Sequence, residues 1–323
     1  MIDYKPPFTL TSKIINLSEA IAYEMGRLAG EKMLLPTIKL RRSNRIKTIQ
    51  ASLAIEGNTL TLDQITDILD GKHILGPSKD ILEVKNALEL YANLRTLSPL
   101  SIEGILKAHD ILMKNLIEDH GKFRTTSVGI FKGSQVTHIA PQAKRVQILI
   151  QELLEFLKKD QELSWLIKSC IFHYEFEFIH PFADGNGRMG RLWQQILLMK
   201  YSPLFEYIAV EELIKENQEE YYITLGKSDK SGESTIFIEF MLKLILESLN
   251  KYGKHINIKP QDAIARLEYA KESFKKVKFS RRDYMTIHRD ISGATASRDL
   301  LHGIERNIIK KTGSNNQTTY MFM

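Results

Sequence analysis

The chain has 323 residues, 43% of them hydrophobic and 26% charged, with 45 Lys and Arg against 39 Asp and Glu. These proportions fit a globular protein of about two domains and exclude low-complexity and collagen-like chains. The single cysteine, Cys170, excludes an internal disulfide and is expected as a small core residue. No apolar stretch approaches the length that spans a bilayer, and Met1 to Leu10 lacks the basic start and apolar run of a secretory leader, so residence in the cytoplasm without a membrane partner is expected.

In chain order, the first informative segment runs from Arg41 to Ile55. Ile46, Ile49 and Leu53 recur at three- and four-residue spacing, which predicts a helix, and Gly57 suits its stop. Glu56 in the last turn is slightly unfavourable against the helix dipole. By itself this is the pattern of a surface helix.

Gly121 to Arg124, then Val128 and Ile130, lead into a turn at Phe131 to Gln135. Val136, Thr137, His138 and Ile139 follow as a second β-prone run, so a hairpin is predicted. Leu163 to Ile179 is apolar and uninterrupted by Gly or Pro. Pro181 cannot continue a helix and biases His180 away from helical backbone, so the helix should end near His180. A second helix follows from Arg188 to Lys200, with Leu192, Ile196 and Met199 at core spacing.

Between the two helices, residues 180–191 carry the densest chemistry of the chain. Asp184, Gly185, Asn186 and Gly187 stand where a helix begins, with unpaired N–H groups and a partial positive charge. Gly185 and Gly187 let several N–H groups converge on one anion, which makes a phosphate site in principle. Arg188 and Arg191 share a helix face, and planar guanidinium groups suit phosphate oxygens. Asp184 is placed to hold a divalent ion against phosphates. His180 is the natural general base for a hydroxyl. Residues Gly185 to Gly190 also satisfy G-x-G-x-x-G, but the dinucleotide version needs a strand before it, and here a helix precedes. An ordinary helix–helix turn accounts for Pro181, Asp184 and the glycines, but not for His180 and both arginines as well.

The stretch resembles the signature of the Fic family, His-Pro-Phe-x-(Asp/Glu)-Gly-Asn-Gly-Arg-x-x-Arg, at all nine fixed positions. The resemblance implies a mainly α fold, a helical bundle with a small β-hairpin flap, and transfer of AMP from ATP to a Ser, Thr or Tyr hydroxyl of a target protein. His180 would deprotonate that hydroxyl, and Asp184 would hold Mg²⁺ (or Mn²⁺). The segment Gly185, Asn186, Gly187, Arg188, Met189, Gly190 and Arg191 would bind the nucleotide phosphates. A phosphate-transferring branch of the family carries Lys where this chain has Gly187, so AMP transfer is the expected orientation. Other variants transfer UMP or phosphocholine.

Ser52, Glu56 and Gly57 resemble the family's inhibitory pattern (Ser/Thr)-x-x-x-Glu-(Gly/Asn), placed before the catalytic loop as in the subclass with an N-terminal inhibitory helix. By that resemblance Glu56 would pair with Arg191 and deny it to the γ-phosphate. The hairpin would be the flap that registers a target chain, with Val136, Thr137, His138 and Ile139 lining the cleft. For His138 the alternative is a turn histidine without a role. Tyr222 and Asp229 would reach the adenine pocket, or else serve as core packing and a loop residue.

After the long helix expected over Ile236 to Leu249, the charge changes. Residues 251–323 hold 15 Lys and Arg against 7 Asp and Glu, whereas the rest carries a net charge of −2. The expected organisation is an N-terminal helical region over 1–100, a catalytic core over 101–250 and a small domain over 251–323. Ser280 should open one helix of that domain and Thr295 cap another after a turn at Ser292 to Ala294. Two strands should then flank the Gly-Ser-Asn-Asn turn that begins at Gly313. Helix, turn, helix and hairpin resemble a winged helix, a domain that several Fic proteins carry at this end. Thr295, Ser297 and Arg298 would open its recognition helix. DNA binding is one expectation. Packing on the catalytic region, or formation of a homodimer, is the other.

Overall fold

The computed structural model describes residues 4–30, 38–127, 129–132, 135–256, 263–288, 291–313 and 318–323. Contacts divide the chain into two compact units, one of residues 1–34 and 41–252 and one of residues 35–40 and 253–323. In chain order the helices up to residue 256 are α1 (Ser12–Gly30), α2 (Ile38–Ile55), α3 (Leu62–Leu69), α4 (Ser78–Ala92), α5 (Ile102–Met113), α6 (Val146–Lys159), α7 (Trp165–Ile179), α8 (Asn186–Tyr201), α9 (Val210–Glu216), α10 (Gln218–Ser231) and α11 (Thr235–Ile256). The mainly helical class expected from the sequence is what the structure has.

The first unit is built around α7 and α8. Both are buried along nearly their whole length, as helices that are apolar or satisfied all round must be. They approach closely at Gly190, where a Cβ would stand 2.7 Å from Glu177 Oε1 and 3.2 Å from His173 Cδ2. His173 is fully buried between them, its Nδ1 2.6 Å from Gln194 Oε1 and its Nε2 3.0 Å from Tyr221 Oη. Burial holds its pKa down at about 3, so it is a neutral strut. Cys170 is buried as expected.

α2 packs through Ile46, Ile49 and Leu53, each at most 5% exposed. It ends because Gly57 takes φ 91°, and the N–H groups of Gly57 and Asn58 return to the carbonyls of Ala54 and Leu53. Side chains fix its line: Asn44 Nδ2 donates to Tyr207 O at 2.7 Å, and Gln218 Nε2 donates to Ile55 O at 3.1 Å. The N-terminal strand of chain is tied to this unit as well. Ser234 N donates to Pro7 O at 2.9 Å, and Tyr4 Oη to the buried Glu175 carboxylate at 2.9 Å.

The predicted hairpin forms between β1 (Gly129–Lys132) and β2 (Gln135–Ile139). It is antiparallel, pairing Gly129 with Ile139 and Lys132 with Gln135, with an irregularity between Ile130 and Phe131. Its turn at Gly133 and Ser134 lies outside the described residues, as do the side chains of Val136, Thr137, His138 and Ile139.

The second unit contains α12 (Ala263–Phe274), α13 (Arg281–Ile287), α14 (Gly293–Glu305) and an antiparallel pair, β3 (Ile309–Thr312) and β4 (Thr319–Phe322). Leu267, Ala270, Phe279, Tyr284, Ala296, Leu300, Ile309 and Phe322 form its core. Arg266 and Asp299 make a buried two-bond ion pair at 2.6 and 2.8 Å, the geometry in which such pairs are strong. Ser280 caps α13 as expected, in a capping box with Asp283. The cap of α14 is a correction: it is Ser292, not Thr295. Ser292 Oγ accepts from Thr295 N at 3.1 Å, so the expected turn at Ser292 to Ala294 is already the helix start, and Thr295 sits one turn inside.

Among the described residues, no helix is long and apolar enough to cross a membrane.

Candidate functional site

His180 is where Pro181 forces the chain to leave α7. It adopts left-handed backbone, φ 49° and ψ 62°, while its N–H still closes the helix on Phe176 O at 2.9 Å. Left-handed backbone is unfavourable for a residue with a Cβ, so something must hold it. The side chain is half-buried.

The following loop is stapled from within and from below. Asn186 accepts from Phe182 N at 2.8 Å and donates to Phe182 O at 2.9 Å, so its side chain faces inward. Phe182 is fully buried, a contribution of about 2–3 kcal/mol. It stacks on His109 of α5 with ring centroids 3.6 Å apart and planes at 3°. His109 Nδ1 accepts from Gly121 N at 2.9 Å, which leaves the proton on Nε2, 3.0 Å from Asp184 O. Gly185 opens α8 with φ 84°, and a Cβ there would stand 2.8 Å from Met113 Sδ. Only glycine fits.

His109 sets a pH dependence. Burial, opposed in part by its bond to Asp184, lowers its pKa from 6.5 to about 4. The unfolded chain therefore takes up a proton below pH 6.5 that the folded chain refuses until about pH 4. The stability this group contributes is whole above pH 6.5 and is lost as pH falls through 4, a change on the order of 3 kcal/mol. Glu175 and Glu211, both raised by burial to about 7, act in the opposite direction between 4.5 and 7. The clean measurement is thus a difference. In urea titrations at pH 7 and pH 4, the stability advantage of the parent over His109→Gln should shrink by about 3 kcal/mol. A constant gap would show that His109 carries no such burden.

The two arginines are already engaged. Arg191 is 1% exposed; its Nε donates to Ser52 Oγ at 3.1 Å, and its Nη2 donates to Ser52 O at 3.0 Å and Glu56 Oε1 at 2.7 Å. Burial works against its charge, but the Glu56 carboxylate, with Tyr221 and Glu177, outweighs burial and pushes its pKa up. Glu56 also sits over the helix start: a Cβ on Gly187 would collide with Glu56 Oε1 and stand 3.0 Å from Arg191 Nη1. That Nη1 is buried and, among the described residues, makes no hydrogen bond. Arg188 is held by Glu83 of α4 at 3.1 Å and by Asp184 Oδ1 at 3.1 Å. The second oxygen of Glu83 accepts from Asn58 Nδ2 at 2.9 Å, one residue beyond Gly57.

Asp184 is half-exposed, and its Oδ1 also accepts from Gly185 N at 2.5 Å. No group of three or more His, Cys, Asp or Glu side chains suited to a metal occurs among the described residues. A single accessible carboxylate fits an ion held mostly by phosphate and water, as Mg²⁺ often is, rather than one held by protein ligands alone.

Met189 is fully buried in the core, and Gly190 serves the α7–α8 approach. Tyr222 on α10 is 44% exposed and close enough to Glu56 and Arg191 for both to act on its hydroxyl, whose pKa burial raises. Asp229 accepts from Tyr174 Oη at 3.1 Å. The structure thus brings together His180, Asp184 to Gly187, Arg188, Arg191, Ser52, Glu56 and Gly57. It adds His109 and Glu83, which no motif announced.

Residues 99–198 match the Fic/DOC family. Protein adenylyltransferase fic-1 of Caenorhabditis briggsae is 28% identical over 228 residues, covering 66% of this chain and 42% of the relative. Protein adenylyltransferase Fic of Nematostella vectensis is 28% identical over 235 residues, covering 70% of this chain and 53% of the relative. The chain thus spans about half the length of these curated relatives. A crystal structure of a Fic family protein from Desulfovibrio desulfuricans G20 is 39% identical with a TM-score of 0.75, covering 99% of this chain and 98% of that one. Correspondence from end to end, together with the loop geometry over residues 180–191, places this chain in the Fic family.

Proposed function

We propose that the protein is an adenylyltransferase that moves AMP from ATP to a Ser, Thr or Tyr hydroxyl of a target protein or of itself, releasing pyrophosphate, with residence in the cytoplasm. The observation that carries this is Arg191 Nη1, a buried donor without a hydrogen-bond partner among the described residues, close to Gly187 at the start of α8. A buried unpaired donor is costly, and an anion arriving there would satisfy it. The Glu56 carboxylate already lies where that anion would bind.

In this reading, ATP phosphates lie along the N–H groups of Gly185, Asn186 and Gly187, with Arg188 and Arg191 on the outer phosphates. Asp184 would hold Mg²⁺ or Mn²⁺, which supplies charge neutralisation at the phosphates when bound. His180 accepts the proton of the attacking hydroxyl, and positioning supplies most of the remaining rate. Tyr222 and Asp229 belong to the adenine side, and Val136 to Ile139 to the target side through strand pairing. Glu56, with Ser52 and Gly57, restrains the site by occupying Arg191. The test is mass spectrometry of the Glu56→Gly protein incubated with ATP, GTP, CTP or UTP in parallel. An AMP adduct with ATP is expected. An adduct from another nucleotide alone would replace the substrate, and no adduct at all would remove the reading.

A second reading is a DNA-binding regulator whose ATP site turns over slowly. What favours it is the exposure of Arg281, Arg282, Arg298, Lys310 and Lys311 on α13, α14 and β3 of the winged-helix-like unit. The full chain should then bind duplex DNA with affinity that falls steeply with salt, by about one power of salt for each phosphate contacted. Salt-independent or undetectable binding leaves that unit a packing or dimerisation module.

A further inference from the structure

Arg124 precedes the hairpin, on the segment between α5 and β1, and is 4% exposed. Among the described residues its guanidinium meets main-chain carbonyls and not a carboxylate. Nε donates to His180 O at 2.7 Å, and Nη2 donates to Ile179 O at 3.3 Å and to Pro141 O at 2.5 Å. Nη1 donates to Thr126 O at 2.8 Å. The backbone adds a fifth tie, Arg124 N to Pro181 O at 2.9 Å. Burial lowers the pKa of this guanidinium. A buried cation whose described partners are all carbonyls is an expensive arrangement for a simple loop tie, where a neutral amide would serve.

The acceptors fall into two sets. Ile179, His180 and Pro181 form the corner where α7 ends and where His180 is held at φ 49°. Thr126 stands just before β1 and Pro141 just after β2, so these carbonyls are the two roots of the hairpin. One rigid, planar group therefore spans both hairpin roots and the turn that carries the base. Lysine could not do this, because a single ammonium lacks the fork.

We infer that Arg124 is a positioning residue that registers His180 against the roots of the hairpin flap, so that the base is aligned with whatever the flap holds. This rests on the adenylyltransferase reading. Among the described residues the hydrogen bonds of Arg124 reach neither the start of α8 nor the two site arginines, so ATP affinity should survive its loss. Loss of the fork should misplace the base relative to the acceptor hydroxyl and leave ATP affinity intact.

The experiment is single-turnover AMP transfer from labelled ATP in the Glu56→Gly protein, with and without Arg124→Lys. The expected result is a roughly 100-fold lower maximal rate, the scale of a 1 Å misplacement, with half-saturation by ATP changed less than about twofold. An unchanged rate overturns the inference. So does a parallel loss of rate and ATP affinity, which is what a merely structural role would give. If the Glu56→Gly parent transfers nothing, the adenylyltransferase reading has failed instead. The register is then read from the unsubstituted chain labelled with ¹⁵N-arginine, which also serves if the lysine variant does not fold. There the Arg124 Nε–H should exchange far more slowly than exposed arginines. A fast-exchanging signal overturns the tie to His180.

Discussion

Replacing Glu56 by glycine should raise the rate of AMP transfer from labelled ATP roughly 10- to 100-fold. The size follows from what the substitution removes. Glu56 Oε1 accepts a charge-assisted hydrogen bond from Arg191 at 2.7 Å in a site where Arg191 is 1% exposed. Such bonds contribute about 1.5–3 kcal/mol, and a phosphate competing for the same guanidinium must first displace that much. The loss of the carboxylate also clears the space over Gly187. Thermal unfolding should move the other way. Arg191 keeps Ser52 and the nearby Glu177 but loses its hydrogen-bonded carboxylate, so the apo variant should melt lower than the parent, by about 1.5–3 kcal/mol for a charge-assisted bond. ATP should restore much of this, because phosphate takes the place of Glu56. A variant with more activity and no larger ATP-induced shift in Tm than the parent would separate release from phosphate binding and count against competition as the mechanism.

In the same Glu56→Gly background, His180→Ala should lower AMP transfer by about 10²–10⁴, the range for losing a general base. Nucleotide affinity should stay near that of the Glu56→Gly protein. The start of α8 is held by Asn186, Phe182 and His109, none of which depends on the His180 side chain. Rate and affinity thus separate at one residue. Transfer that persists in His180→Ala would assign the base elsewhere. If a cellular effect of the protein survives the substitution while transfer does not, the DNA-binding regulator becomes the better account.

The parts of the site that were legible in the sequence are those with local grammar. Pro181 stops one helix, Gly185 starts the next, and Gly57 stops a third. The nine-position pattern around them makes the loop readable from sequence. Glu56 and Arg191, 135 residues apart, were joined only through the family resemblance, since nothing in either neighbourhood implies the other. His109, Glu83 and Arg124 were not foreseen. Each acts through partners 56 to 105 residues away, and a histidine on a helix or an arginine before a turn has no spacing that reveals such a partner. The Thr295 cap was misplaced for a simpler reason. Ser292 and Thr295 both suit the position, and only the backbone geometry at Ser292 decides.

The end of α2 has one more property. Glu56 grips Arg191 directly, while Asn58 holds Glu83, which in turn holds Arg188. The end of α2 therefore reaches Arg191 directly and Arg188 through one intermediary. Loss of that helix end would take Glu56 from Arg191 but would leave Arg188 on both Glu83 and Asp184. The two guanidinium groups thus differ in kind: one is held by a segment that precedes the loop by more than a hundred residues, the other also by Asp184 of the loop itself.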